Sequence, residues 1–198
     1  MPASFDNVAR NPVGRLHHLL IQMPSDQTRM GDWLATYFAI QPRIASTSIE
    51  LYANLALLVV ECQRAARIVP HYPEEDLVAF REPIREVASV VVSHNANSSI
   101  YQFKNQISAE TLKGLEFFSR ILNREKPEVA VDPTQLEGLL VQVQKLIADI
   151  MGSDIDPELK ALLVEHLQAV EKSLRFYSIL GSAGLRRAAA GLMGGTYI

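Results

Sequence analysis

Pro12, Pro133 and Pro157 each follow an Asn or an Asp, and Pro73 is followed by Glu74, Glu75 and Asp76. An Asn or Asp side chain accepts hydrogen bonds from the orphan N–H groups of a first helical turn. Proline at the first helical position has no N–H to lose, and acidic groups suit the positive end of the helix dipole. Each of these four places is therefore a helix start. Between them apolar residues recur at i, i+3, i+4 and i+7, whereas strand-like alternation bounded by turns is almost absent. The chain reads as all-α: a multi-helix bundle, then a C-terminal antiparallel helical hairpin and a short tail helix.

The first stripe is Leu16, Leu19, Leu20 and Met23, stopped by Pro24. A short helix from Asp32 to Ala39 carries Trp33, the only tryptophan, as a core anchor. Thr47 to Glu50 has the form of a capping box, and the helix it opens is expected to run to Val69 before Pro70. Ile49, Leu51, Tyr52, Leu55 and Leu57 to Val60 go nearly all round that helix, which marks it as the buried hub. From Pro73 a stripe of Leu77, Phe80, Ile84, Val87 and Val91 crosses Pro83, where the helix kinks or a new one begins. Residues 93–99, SHNANSS, have the weakest helix propensity, and helical spacing returns from Ser108 to Asn123.

Residues 123–133, NREKPEVAVDP, are charged, carry two prolines and have few large apolar groups. They separate a bundle over 1–125 from a hairpin and tail helix over 126–198. Beyond them Asp132-Pro133 opens a helix bearing Leu136, Leu139, Leu140, Val143, Leu146, Ile147 and Ile150, with Gly152 at the place of a left-handed C-cap. Asp156-Pro157 opens the next, expected to continue to Gly181. The few residues between them force an antiparallel pair. Two helices alone cannot bury both stripes, so the hairpin should lie on the bundle or on another subunit.

Five of the ten glycines fall in the last 18 residues, GSAGLRRAAAGLMGGTYI. A Walker-type phosphate loop would need a lysine and a preceding strand, and the tail has neither. The reading is Gly181 as a C-cap, Gly184 as a sharp turn, and Leu185 to Met193 as a short amphipathic helix. The run Glu165 to Ala188, in which Tyr177, Ile179, Gly181, Gly184, Leu185 and Arg186 form an aromatic-x-Ile-x-Gly-x-x-Gly-Leu-Arg pattern, resembles the C-terminal end of uncharacterised helical proteins from bacteria. That resemblance covers about an eighth of the chain and no catalytic residue. It implies a bacterial cytoplasmic protein, a regulatory or immunity-type component of a toxin–antitoxin or defence locus.

Composition narrows the function classes. Residues 1–99 carry 8 basic and 10 acidic groups and residues 100–198 carry 11 and 12, so no basic stripe awaits a nucleic acid. The longest apolar run, Leu55 to Val60, falls far short of the roughly 20 residues that span a bilayer, and no stable membrane insertion is expected. The opening residues lack a signal-peptide pattern, which makes the cytoplasm the expected location. The lone Cys62 sits among valines and reads as a buried structural thiol, and no two histidines have the i, i+4 spacing of a helical zinc site. Neither a catalytic residue, a metal nor a cofactor is expected.

Two surfaces stand out. The first is an interface made by Leu163, His166, Val170, Leu174 and Tyr177 on the hairpin and Leu185 and Leu192 on the tail, serving a homo-oligomer or a protein partner. The second is a polar group of His94, Asn95, Asn97 and Tyr101 with Arg81, Arg85 and Glu86 one to three turns earlier, which could line a ligand pocket between helices. The expected function is a non-enzymatic interaction or assembly protein, the alternative a small enzyme or binding protein using that pocket.

Overall fold

A computed structural model describes residues 11–38, 45–67, 69, 72–125, 128 and 131–192. Among these residues the chain is all-α, with ten helices and no strand. It divides into two compact units, Met1–Glu128 and Val129–Ile198.

In the first unit α1 (Pro12–Gln22) packs on α3 (Ala45–Ala65), α3 on α4 (Glu74–Ser93), α4 on α6 (Ala109–Glu125), and α6 back on α1. Leu16, Leu51, Leu55, Ile84, Leu115 and Phe118 fill the middle of this ring and are fully buried. Asn11 closes it. Its Oδ1 accepts from Gly14 N at 2.8 Å as the cap of α1, while its Nδ2 donates to Ser119 O at 3.1 Å and Asn123 Oδ1 at 2.6 Å on α6. The short α2 (Met30–Tyr37) lies on α3, with Trp33 buried.

Three expectations about α3 are corrected. The helix starts at Ala45, so Thr47 falls inside its first turn and the Thr47–Glu50 box marks no boundary. It ends at Ala65 rather than Val69, and Pro70 lies outside the described residues. Nor is it buried all round. Leu51, Leu55, Leu58 and Cys62 face inward, but Ile49, Leu57 and Val60 are exposed on the side left open by α1, α2 and α4.

A single helix runs through Pro83. The carbonyl that the missing N–H would have met belongs to Ala79, an exposed residue whose oxygen can turn to water. The proline ring meets α6 at Gly114, where a Cβ would stand only 2.5 Å from Pro83 Cγ. Next to this contact Phe80 stacks on Phe118, ring centroids 4.8 Å apart. Helix α4 ends at Ser93, and the following polar segment pairs along its backbone with residues 26–31. Met30 N donates to Ser98 O, Gly31 N to Ala96 O and Ile100 N to Thr28 O, all at 2.8–2.9 Å. This pairing sets up α5 (Ile100–Lys104), a helix that periodicity does not reveal.

The second unit holds α7 (Pro133–Met151), α8 (Pro157–Arg175), α9 (Tyr177–Leu180) and α10 (Ser182–Leu192). α7 packs on α8, and α8 on α10. Asp132 accepts from Thr134 N, and Asp156 from Glu158 N and Leu159 N, as the local Asp-Pro chemistry requires. Gly152 is not left-handed: its φ of −82° and ψ of −6° are right-handed helical values. The helix end is closed instead by Ser153, whose N–H and Oγ both donate to Ile150 O, at 3.1 Å and 2.7 Å, and Lys160 Nζ donates to Ser153 O at 2.6 Å and Met151 O at 3.3 Å.

The left-handed backbone is found at Gly181, with φ 57° and ψ −150°. α8 stops earlier than expected, at Arg175, and the short α9 intervenes before this reversal. Gly184 is no turn; it lies within α10. A Cβ there would stand 3.3 Å from Leu180 Cβ and 3.7 Å from Ser173 Cβ, and Ser173 Oγ donates to Gly184 O at 3.1 Å. The two glycines of the tail motif thus have separate roles, reversal at 181 and close approach to α8 at 184.

The Pro83–Gly114 contact gives a direct test. Gly114→Ala should lower stability by about 1–3 kcal/mol in urea unfolding, because the added methyl overlaps a rigid ring. Gly138→Ala in α7 meets nothing within 4 Å and should raise stability, by up to about 1 kcal/mol.

Candidate functional site

The polar residues proposed for a pocket do not converge. His94 ends α4, and its Nδ1 lies 2.9 Å from Val90 O and 3.1 Å from Ser93 Oγ, while its ring meets the edge of Phe103 at 5.5 Å between centroids. It closes a helix end. Asn95 Oδ1 accepts from Asn97 N inside the same turn, and the side chains of Asn95, Asn97 and Tyr101 are exposed. Arg85 pairs with Glu82 at 2.6 Å on the outer surface of α4. Arg81 is half-buried more than three turns from that end. Glu86 is turned toward α6, where its Oε1 accepts from Ser108 N at 3.0 Å. Five of the seven are therefore divided among a cap, a turn, a surface ion pair and a tie to the residue before α6, while Arg81 lies within α4 and Tyr101 on α5.

A charged pair lies in the interior of the first unit. Arg15, 5% exposed, meets Glu128, 21% exposed, with Nη1 2.5 Å from Oε2 and Nη2 3.3 Å from Oε1. Cys62 lies within reach of this pair's field but is itself fully buried, and burial pushes its thiol pKa well above the ordinary value. A thiol so held supplies no nucleophile near neutral pH. His17 is half-buried, and loss of solvent lowers its pKa against the opposing pull of Glu116. Among the described residues no three His, Cys, Asp or Glu side chains stand together as metal ligands would.

The second unit is different in kind. α7 buries none of its 19 residues. Leu136, Leu140, Val143, Ile147 and Ile150 are half-buried along the side that meets α8, but Leu139 and Leu146 on the flank of that stripe are 46% and 47% exposed. On α8, Leu163, Leu167 and Val170 are half-buried and Leu174 is buried, whereas Leu159 and Leu162 are 48% and 50% exposed. Antiparallel helices mirror each other's sense of rotation, so these two flanks emerge on one side of the hairpin. The four leucines form an open apolar face.

Of the residues assigned to an interface, Leu174 is spent inside the unit, and Leu163, His166, Val170, Tyr177 and Leu185 are half-buried. The side chain of Leu192 lies outside the described residues. The more exposed set is Leu139, Leu146, Leu159 and Leu162. A signal for it exists in the sequence: the seven apolar positions of α7 span a wider arc than one partner helix can cover.

No protein-family model, curated protein or solved structure matches the chain. Among the described residues no helix is long and apolar enough to cross a membrane.

Two measurements check these assignments. Glu128→Gln should destabilise the first unit by about 3 kcal/mol in chemical unfolding, because it removes the carboxylate charge held against the buried Arg15 guanidinium. Glu86 has a lowered pKa, held down first by the Thr111 side chain and next by the Ser108 backbone N–H. Its contribution to stability is complete above the ordinary value of 4.5 and is lost as pH falls through the lowered one. Stability followed from pH 6 to pH 3 should therefore decline less in Glu86→Gln than in the parent.

Proposed function

We propose that this chain is a non-enzymatic interaction or assembly protein that works through the helical hairpin of its second unit. The observation that supports this reading is the exposure of Leu139, Leu146, Leu159 and Leu162 on two adjacent helices, one of which buries nothing. Apolar side chains left half in water at helical spacing cost free energy unless something covers them. A continuous patch of them on a folded unit marks a contact surface. The dispersal of the His94 group weighs in the same direction, since no acid, base and recognition group are gathered around one space.

The reading separates from a purely structural role by its effect on stability. Leu146→Glu combined with Leu162→Glu should change the unfolding free energy by no more than about 1 kcal/mol, as expected for surface positions, and should abolish association seen by sedimentation velocity. A loss of roughly 3 kcal/mol or more would show that the face is spent within the fold, and the proposal would fall.

A further inference from the structure

The open face of the hairpin has a size and a charge pattern that select its occupant. We infer that it is covered by the same face of a second copy of this chain, the two hairpins running antiparallel to make a four-helix contact. This rests on the contact reading above and assigns the partner.

Size comes first. Four leucines each about half exposed offer on the order of 350–400 Å² of apolar surface, close to the apolar share of one side of a standard interface of about 800 Å² per partner. A small ligand would leave most of that surface wet. A self-complementary face needs only one patch for both partners, and two-fold pairing closes without exposing a further edge.

Charge then sets the direction. From Asp149 to Glu158, around the tip, lie Asp149, Asp154, Asp156 and Glu158 with no basic residue among them. Lys160, just beyond, has its ammonium on the Met151 and Ser153 carbonyls. At the other end, from Glu171 to Arg187, are Lys172, Arg175, Arg186 and Arg187 with the single acid Glu171, which pairs with Arg175 at 2.6 Å. The acids of α7's opening, Asp132 and Glu137, lie at this end too, and Asp132 is occupied as a cap. Parallel pairing would bring four acids against four acids at the tips. Antiparallel pairing sets the acidic tip of each copy beside the basic α8–α10 end of the other, and attraction replaces repulsion.

The spacing agrees. Ser173 touches Gly184, and from Asp156 to Ser173 α8 rises about 25 Å at about 1.5 Å per residue. Within one chain Asp154 and Arg186 are therefore too far apart to be bridged, so a link between those two positions can form only between copies. Leu146 and Leu162, eight residues on either side of Asp154, fall near the midpoint of that length, where a two-fold axis would cross.

The experiment uses the full chain carrying Asp154→Cys and Arg186→Cys, oxidised at about 50 μM, with Asp154→Cys alone in parallel and with the parent's mass followed by light scattering. Cys62 is buried and serves as the silent background. The expected result is a parent dimer, a disulfide-linked dimer from the double variant, and little from the single one. Adding Leu146→Glu should remove both the dimer and the link. A dimer that links through Asp154→Cys alone would overturn the antiparallel pairing while leaving the contact reading in place.

Should the parent be a monomer up to 200 μM, Leu146→Cys alkylation decides what fails. Rapid labelling means an open face and a different partner, so the second-copy inference falls alone. Slow labelling in a monomer means the chain covers its own face, and both fall.

Discussion

Asn11 holds two ends of the first unit with one side chain. Its oxygen caps α1, and its nitrogen reaches a carbonyl and a side chain on α6, more than a hundred residues away. A ring of four helices joined in chain order has one seam that no loop closes, between the first helix and the last. At this seam the amide is 1% exposed, and its bonds to Gly14 and Ser119 are buried, where an unmet partner is costly. The Arg15–Glu128 pair lies one turn further along α1 and ties the residue just past α6 to the same helix. The remaining contacts of the ring, including Pro83 in the notch at Gly114, need that seam shut to stay in register.

The two units solve the same problem differently. The first buries its stripes by closing on itself, so that α1, α3, α4 and α6 each find two neighbours. Within the second unit, among the described residues, α8 packs on both α7 and α10, whereas α7 packs chiefly on α8. A helix packed chiefly on one partner buries only part of a wide stripe. The exposed leucines follow from that geometry rather than from any unusual residue. In the first unit the Asn11 amide and the Arg15–Glu128 pair meet their partners, and the thiol of Cys62 is buried.

Features decided within one helical turn were legible in the sequence. Asn11, Asp132 and Asp156 cap the helices they precede, because a cap needs only its own next three residues. The buried positions of α1 and α6 could be read from spacing in the same way. What required the folded chain was set by distant partners. α5 exists because 96–100 pairs with 28–31. Gly152 keeps right-handed angles, and the end of α7 is met by Ser153 and by Lys160 from the next helix. α3 leaves Ile49, Leu57 and Val60 exposed because α1, α2 and α4 do not surround it, and Glu86 leaves the His94 group because Ser108 N donates to it. The tail motif was partly legible. Reversal at Gly181 follows from its place after a helix, but the role of Gly184 depends on Ser173 and Leu180 lying alongside.

Cys62 is the one sulfhydryl in the chain, and it is shut inside the ring with its proton held fast. Two copies of this chain therefore have no exposed thiol with which to form a disulfide between them. Any assembly they form is an equilibrium, its population set by how much chain is present and its lifetime by how fast an apolar face of four leucines lets go. For the pairing proposed above, more chain would favour the dimer and dilution the monomer.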